Sequence, residues 1–314
     1  EFDMQLTTKL IATFAVICGS NLASATPFED YNMILFSDFA ASGGSGHVHG
    51  ASFIGGNLYG QTPEFGADLP KSSTQDTLEV AGDLNANHLT VQAGYLSYGG
   101  DNNLGSINCN GNGLSGSGCV RTASGLDAKA DALRVELNAS ASYYAGLSAN
   151  GSIDLTGRAL SYSGSATDLA IFNLDGSDLF AQNSNWNLDF GLAESVVINV
   201  SGVDLASLGG INLNGGFNHT NAANILWNFY DAESVNFGST QWFGSILATG
   251  ASIDTANDLN GTLVADSYVG NGQIHIASWS GTPTTSVPEP NINLLLMAGL
   301  GFIGASRLRR TRRS

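Results

Sequence analysis

Short apolar runs recur along most of the chain, and clusters of polar turn residues separate them. Residues 152–156 and 251–254 alternate apolar and polar positions, and residues 196–200 form a β-branched run. Gly, Asn, Asp and Ser interrupt such runs about every eight to twelve residues, as tight turns between strands require. The pattern predicts a mainly β protein with many short strands.

One segment, about residues 125–147, has the periodicity of a helix instead. Its apolar residues recur at spacings of three or four, namely Leu126, Ala130, Leu133, Leu137, Ala141 and Tyr144. That spacing gives a helix one apolar face. Asp127 and Asp131 lie near the start of the segment, where the helix dipole favours acidic side chains. We therefore expect one long helix that covers an apolar side of the β structure.

Many short strands at regular spacing fit either a β-solenoid or a β-sandwich. Four segments look like variants of one turn-and-strand unit: residues 55–58, 82–85, 211–215 and 259–263. Asn-rich turns beside inward Leu, Ile and Val suit stacked coils, in which each coil buries its apolar side against the next. We expect a single domain with a right-handed β-solenoid or β-helix-like fold and the flanking helix. A β-sandwich is the alternative.

The first 25 residues have the pattern of an export signal. Residues 1–3 look like a cloning scar before Met4. Lys9 then precedes a short apolar core, and Ala23-Ser24-Ala25 forms a small-residue cleavage site. The apolar core is too short to span a bilayer. Residues 4–25 are therefore predicted to be a signal peptide that is cut after Ala25.

The last residues form a second processing signal. Val287, Pro288, Glu289 and Pro290 precede an apolar span at residues 292–305 and a cluster of arginines at residues 307–313. This arrangement resembles the PEP-CTERM sorting signal. The resemblance implies removal by an exosortase in a Gram-negative producer of exopolysaccharide, with only transient contact between the tail and the membrane. A plain C-terminal membrane anchor is the alternative, and residues 284–314 are assigned to this linker and tail.

The charge of the chain excludes two kinds of partner, nucleic acids and anionic membrane surfaces. The sequence holds 27 acidic and 11 basic residues in 314, a formal net charge of −16. Without the two ends, 24 acids and five bases remain, which gives −19. Binding to nucleic acid or to an anionic membrane needs a basic patch that neutralises phosphates. Five scattered bases cannot form one, whereas loose association with Ca²⁺ is compatible with this charge.

Two cysteines remain once the signal peptide, which includes Cys18, is set aside. Cys109 and Cys119 flank a loop of Gly, Ser and Asn. In an exported protein this spacing predicts one disulfide that closes the loop. Two free thiols are the alternative.

Several segments of the body resemble the choice-of-anchor A domain, a family displayed on cell surfaces through varied anchors. The segments are residues 31–38, 49–57, 78–84, 225–229, 244–248, 259–262 and 270–275. The resemblance spans nearly all of residues 26–283, which we assign to one such domain. It implies an adhesive role and transfers no active site. Thr249 and Gly250 depart from the family pattern, where proline and asparagine are common, and this alters a turn.

Few residues suggest chemistry. His47 and His49 would share one side of a strand and are the one candidate metal pair, although a bare pair is usually structural. His275 is expected to pack or cap. Residues 173–178 resemble a calcium loop in composition but lack its ligand spacing, so an Asx turn is favoured. The aromatic residues Trp186, Trp227, Trp242, Trp279, Tyr143 and Tyr144 could stack on sugars, but core packing is favoured.

The sequence has no nucleophile elbow, no zinc-protease motif and no P-loop. We therefore expect no catalytic site, no cofactor and a non-enzymatic adhesive or matrix protein, secreted or held at the cell surface. Its partners would be extracellular polysaccharide or surface proteins, with self-association possible. The alternatives are a glycosidase or lyase on a β-helix, or ice binding. Ice binding typically uses Thr-x-Thr ladders, and Thr282-Pro283-Thr284 is the one such motif.

Overall fold

The computed structural model of the chain describes residues 27–41, 46–165 and 169–281. Short parallel strands stack into coils over most of this length, and one antiparallel pairing joins β13 (Ser152–Asp154) to β14 (Ala159–Ser161). Stacked parallel strands are the arrangement of a solenoid, whereas sandwiches are built from antiparallel strands. The predicted solenoid is confirmed over the sandwich.

The first half of the fold begins with a single helical turn and ends with the long helix. Its elements are α1 (Pro27–Asp30), β1 (Met33–Leu35), β2 (Phe39–Ala40), β3 (His47–Val48), β4 (Ser52–Ile54), β5 (Leu58–Gly60), β6 (Glu64–Phe65), β7 (Asp76–Val80), β8 (Leu84–Ala86), β9 (His88–Val91), β10 (Tyr95–Tyr98), β11 (Ser106–Cys109), β12 (Val120–Thr122) and α2 (Leu126–Ala145). The long helix was predicted at about residues 125–147 and lies there.

The second half returns to short strands. After β13 and β14 its elements are β15 (Leu169–Asp175), α3 (Gly176–Leu179), β16 (Asn185–Asp189), β17 (Ser195–Ser201), β18 (Asp204–Ala206), β19 (Asn212–Gly215), a 3-10 turn (Ala222–Asn224), β20 (Ile225–Asn228), β21 (Ser234–Asn236), β22 (Trp242–Phe243), β23 (Ser245–Asp254), β24 (Leu259–Asn260), β25 (Leu263–Tyr268) and β26 (Ile274–His275).

Each coil crosses three faces in turn. The helix face has the strand order β12-β10-β7-β4-β1-β25-β23-β20-β17-β15. The Asx face, named for its Asp and Asn side chains, consists of β18, β21, the later parts of β23 and β25, β2, β5 and β8. The histidine face has the order β11-β9-β6-β3-β26-β24-β22. A separate sheet orders β13-β14-β16-β19.

The coils do not stack in chain order. β1 lies in the middle of the helix face, between β4 and β25, while β12 and β15 lie at its two ends. The first half of the chain therefore adds coils outward from β1 at the centre to β12 at one end. Helix α2 then carries the chain back along the stack. The second half starts at β15, at the other end, and adds coils inward until β25 pairs with β1. Ten strands span about 43 Å and a 20-residue helix about 30 Å, so α2 is long enough for most of that return.

Apolar side chains fill the interior of the coils. Met33, Leu35 and their counterparts in the other strands are buried in one continuous cluster. The second half adds a group of stacked and tilted aromatic rings, among them Trp227, Trp242 and Phe237. Each of these three side chains is fully buried. The prediction that these tryptophans belong to the core is confirmed.

Glycine is required where two corners of adjacent coils pass closely. A Cβ at Gly82 would lie 2.6 Å from the carbonyl oxygen of Gly56, and a Cβ at Gly100 would lie 2.7 Å from that of Gly82. The Gly-Gly-Asn and Gly-Asp segments predicted from the sequence as one repeated unit stack directly in this way, with Leu58 opposite Leu84.

Candidate functional site

The helix face is closed to large ligands because α2 covers it. Leu137, Ala141 and Tyr144 of the helix are buried against outward-facing side chains of the strands. Those strand residues include Ile34, Phe53, Ile171, Val197, Leu226, Leu247 and Val264. The two other faces have no such cover among the described residues, so an extended contact with a large ligand belongs to the Asx face or the histidine face.

The histidine face presents rows of polar side chains. Its inward row contains Val48, Phe65 and Val91, which are buried. The neighbouring outward row runs in strand register: His47, Glu64, Thr90 and Asn108. Adjacent members are spaced by about 4.8 Å, the distance between paired strands. The row is therefore a regular line of hydrogen-bonding groups along the solenoid.

His49 and His275 form a network on the same face. Their ring centroids are 4.3 Å apart. His49 Nδ1 is 2.8 Å from Asp68 Oδ2 and its Nε2 is 3.0 Å from Gln273 Oε1, while His275 Nε2 is 3.3 Å from Asp258 Oδ2. Both nitrogens of His49 are thus engaged by groups other than His47, the residue paired with it in the sequence analysis. Among the described residues, no group of three or more His, Cys, Asp or Glu side chains is arranged to hold a metal ion.

A further histidine, His88, orders the far part of the face. His88 Nδ1 is 2.7 Å from Ser106 Oγ, and its Nε2 lies 3.2 Å from Asn108 Nδ2. His219 packs edge-on against Phe243 of β22, with centroids 5.0 Å apart. All five histidines of the sequence consequently lie on this face or against it. Sequence reasoning missed this grouping, because their positions become neighbours only through the register of the coils.

On the Asx face, the polar side chains bind mainly to neighbouring coils. At its corner Asp38 Oδ1 accepts from Asn57 N at 2.7 Å, Asn57 Oδ1 from Asp83 N at 2.8 Å, and Asp83 Oδ1 from Asp101 N at 2.7 Å. Further out, Asn236 Nδ2 donates to Asp254 Oδ2 at 2.8 Å. These side chains tie each coil to the next, so many of their hydrogen-bonding groups already have partners.

Every basic side chain of residues 26–286 is engaged within the protein. Arg121 pairs with Asp76, Lys129 with Glu79 and Arg134 with Asp266. Lys71 Nζ donates to two oxygens of Gln92, and Arg158 Nη1 donates to the carbonyl oxygen of Asp178. Acids outnumber these five bases, and each open face carries carboxylates: Glu64 on the histidine face, and Asp204 and Asp254 on the Asx face.

One cavity brings together the carboxylates of Asp30, Asp76 and Glu79, and a glycosidase would need two such groups. It holds about 430 Å³ and is lined by Asp76, Glu79 and Lys129 among others. Lys129 Nζ binds both oxygens of Glu79, at 2.7 and 2.8 Å, and Arg121 Nη2 is 2.9 Å from Asp76 Oδ1. Carboxylates held in ion pairs are poorly placed to act as a general acid and a general base or nucleophile.

The remaining candidates from the sequence have structural roles. Cys109 and Cys119 form a disulfide, with their Cα atoms 5.6 Å apart, at the end of the stack that β11 and β12 occupy. Asp175 caps α3 by accepting from Ser177 N at 2.8 Å and from Ser177 Oγ at 2.6 Å, and these hydrogen bonds lower the pKa of its carboxyl. Residues 173–178 thus form the end of a strand and a capped turn, as the Asx-turn interpretation predicts.

The two processing signals lie outside the described residues. These are the predicted signal peptide with its cleavage site at Ala25, and the motif Val287, Pro288, Glu289 and Pro290 with the tail that follows it. In the described part of the chain, no helix has the length and apolarity needed to cross a membrane.

Two family models match the chain. A model described as "Putative Ice-binding-like adhesive domain" matches residues 24–276, and a model described as "PEP-CTERM protein-sorting motif" matches residues 286–313. No curated protein matches the sequence.

Three solved structures with a distant likeness to the chain are ice-binding proteins. One from an Antarctic biological consortium is 14% identical, with 80% of this chain and 90% of that chain covered and a TM-score of 0.31. The DUF3494 domain of Shewanella frigidimarina ice-binding protein 1 is 13% identical, with 79% and 95% covered and a TM-score of 0.37. One from an Antarctic Flavobacteriaceae bacterium is 13% identical, with 82% of each chain covered and a TM-score of 0.29.

Proposed function

The chain belongs to the family of ice-binding-like adhesive domains and ends in a PEP-CTERM sorting motif, and from this premise we propose that it is an adhesive protein of the extracellular matrix. The signal peptide at residues 4–25 would export it, and an exosortase would remove the tail after recognition of residues 287–290. The mature domain, residues 26–283, would then act outside the cell, at the surface or in the surrounding matrix.

The histidine face is the proposed adhesive surface. The observation that carries the proposal is its row of His47, Glu64, Thr90 and Asn108, one side chain per coil at about 4.8 Å. Such a row offers donors and acceptors in fixed positions, which lowers the entropy lost on binding. An extended polymer with many hydroxyl groups can bind along it through many weak contacts whose sum is strong.

The charge of the domain selects among polymers. All five bases are engaged within the protein, so an anionic polysaccharide would meet carboxylates on both open faces. Like charges brought together on binding cost free energy unless a cation lies between them. We therefore propose a neutral polysaccharide as the ligand. A uronate-bearing polymer would bind only with Ca²⁺ as a bridge.

A non-enzymatic role is supported by the state of the candidate catalytic groups. Two of the three carboxylates that line the cavity, Asp76 and Glu79, are bound by Arg121 and Lys129. The tryptophans that could have formed a sugar-stacking platform are buried. The side chains of Trp186, Trp227 and Trp242 are completely buried, and Trp279 is 3% exposed. The extended contact with the polymer would therefore depend on polar rows rather than on a platform of exposed tryptophans.

Ice is the second candidate ligand, and the description of the family favours it. An ice-binding protein would be incorporated into a slowly growing ice hemisphere. It would also hold the freezing point of its solution below the melting point of the ice. Incorporation of the protein with a measurable freezing hysteresis would move the assignment from polysaccharide to ice.

The proposal is tested by the choice of polymer. The exported protein, isolated from its host, is mixed with immobilised neutral polysaccharide and with a uronate-bearing polysaccharide, each with Ca²⁺ and with EDTA. We expect saturable binding to the neutral polymer under both conditions, and binding to the uronate polymer only with Ca²⁺. If the protein bound neither polymer under either condition, the proposed function would be contradicted.

A further inference from the structure

A ten-residue loop interrupts the regular stacking at one corner. Residues 66–75 connect β6 to β7, whereas residues 49–51 and residues 92–94 turn the same corner in the neighbouring coils with three residues each. The extra length is largely exposed and adds little to the core. The extra residues are therefore not needed to fill the core.

The loop is held firmly against the histidine face. Asp68 N donates to the carbonyl oxygen of His49 at 3.0 Å, and the Asp68 carboxylate binds the His49 ring. Lys71 Nζ donates to Gln92 at 2.8 Å. A loop fixed in this way can form one wall of a preformed site.

That wall, the first helical turn of the fold and helix α2 border the cavity of about 430 Å³, which is open to solvent on one side. Its lining residues are Asp30, Tyr31, Ala51, Leu69, Ser73, Gln75, Asp76, Glu79 and Lys129. The volume falls within the roughly 300–1,000 Å³ of small-molecule sites. The loop borders both the cavity and the histidine face, so a polymer on that face could place one sugar residue in the cavity.

The polar groups of the cavity are fixed before a ligand arrives. Glu79 is 8% exposed, and it accepts from Lys129 Nζ and from the hydroxyl of Tyr31 at 2.7 Å. Asp76 Oδ1 accepts from Ser97 Oγ at 2.6 Å. Fixed acceptors and donors in one cavity match hydroxyl groups, each of which can donate and accept.

The charges exclude other ligand classes. Three carboxylates, those of Asp30, Asp76 and Glu79, would repel an anion. A calcium ion needs six to eight oxygen ligands, and the oxygens of Glu79 already bind Lys129. The partly buried ring of Tyr31 and the side chain of Leu69 add apolar surface of the kind that the CH groups of a sugar ring contact.

We infer that this cavity is a subsite for a neutral pyranose residue of a polysaccharide. The inference rests on the proposed adhesive function and names the part of the polymer that the protein selects. It adds a discrete site for one sugar to the broad contact of the histidine face.

The subsite is tested with the methyl glycosides of glucose, galactose, mannose and N-acetylglucosamine. The exported protein is titrated with each by saturation-transfer NMR. Ser73 lines the cavity and Ser72 is its exposed neighbour outside the lining, so Ser73→Trp and Ser72→Trp form a matched pair. We expect saturable binding of at least one glycoside, weakened about tenfold or more by Ser73→Trp and unchanged by Ser72→Trp, a loss of about 1.4 kcal/mol or more.

Gln75→Ala, with Gln61→Ala as its control, repeats the test if Ser73→Trp fails to fold. Absence of saturable binding for all four glycosides, or equal binding by both members of a matched pair, would overturn the subsite. Polymer binding by the unmodified protein is measured in parallel. Polymer binding without glycoside binding would contradict the subsite alone, whereas loss of polymer binding would contradict the proposed function.

Discussion

Asn199 Nδ2 donates a hydrogen bond of 2.8 Å to the carbonyl oxygen of Tyr144, in the last turn of α2. Asn228, one coil further along, donates in the same way to the carbonyl oxygen of Ala141 at 2.9 Å. The two asparagines are joined to each other by a hydrogen bond of 2.8 Å. The last four carbonyl groups of a helix lack partners within it, and Tyr144 is one of them in α2. In this ladder of asparagines, Asn199 gives that carbonyl a partner from the sheet below, in addition to Leu147 N, and Asn228 adds a second bond one turn earlier.

Asn199→Ala is expected to lower the free energy of unfolding by about 2 kcal/mol, because it removes the hydrogen bonds of a buried amide to the carbonyl oxygen of Tyr144, to Asn173 Oδ1 and from Asn228 Nδ2. Asn214→Ala, at an exposed position of β19, is the control and is expected to change stability by less than about 0.5 kcal/mol. Urea unfolding of both variants measures the difference. Equal losses would show that the ladder does not hold the helix.

Opening the disulfide is expected to weaken the end of the stack formed by β11 and β12. Closure of the loop between Cys109 and Cys119, ten residues apart, is worth about 3 kcal/mol through the entropy of the unfolded chain. The double variant Cys109→Ala with Cys119→Ala should unfold at lower denaturant concentration by an amount of this order. Hydrogen exchange should show the change in residues 106–122 first, and uniform exchange along the solenoid would contradict this.

Alkaline pH is expected to destabilise the protein partly through Tyr31. Burial, and then its hydrogen bond to the Glu79 carboxylate, raise the pKa of the Tyr31 phenol above its ordinary value of 10.0. In the unfolded chain the phenol ionises near pH 10, whereas in the folded protein it stays protonated. The contribution is thus fully present below pH 10 and is lost as the pH rises above it.

Tyr31→Phe measures this contribution. From about pH 9 to about pH 11, the natural protein should lose about 1 kcal/mol more stability than the variant, after allowance for the partial exposure of Tyr31. Tyr59→Phe, at an exposed position of β5, should lose as much as the natural protein. Equal pH dependence in all three proteins would contradict the assignment.

The two open faces are distinguished by a matched pair of asparagines. Asn108 lies exposed on the histidine face and Asn236 lies exposed on the Asx face. Asn108→Trp places a bulky ring in the proposed contact and should weaken polymer binding about tenfold, or about 1.4 kcal/mol. Asn236→Trp should leave binding unchanged. The reverse result would move the adhesive surface to the Asx face.

The sequence predicted those features that depend on neighbouring residues. The spacing of Leu126, Leu137 and Tyr144 indicated the helix and its buried side, and Cys109 and Cys119 lie close enough in the chain for their pairing to be inferred. The glycine corners at residues 55–58 and 82–85 indicated stacked coils. Each of these patterns reflects local geometry, which a single sequence records.

The order of the coils was not predictable in the same way. β1 pairs with β25, so Ile34 lies opposite Val264 although more than two hundred residues separate them. No local pattern specifies that pairing, because β1 and β25 are short apolar strands like the other strands of the helix face. The meeting of His49 with His275 follows from the same pairing, and it was missed for the same reason.

In the most direct measurement, the exported protein is incubated with polysaccharide purified from its host, with and without EDTA. The amount of bound protein and the number of newly formed reducing ends are recorded on the same samples. The adhesive account predicts saturable binding with no increase in reducing ends, and binding that persists in EDTA if the polymer is neutral. An increase of reducing ends with time would contradict it, because the protein would then cleave the polymer that it binds.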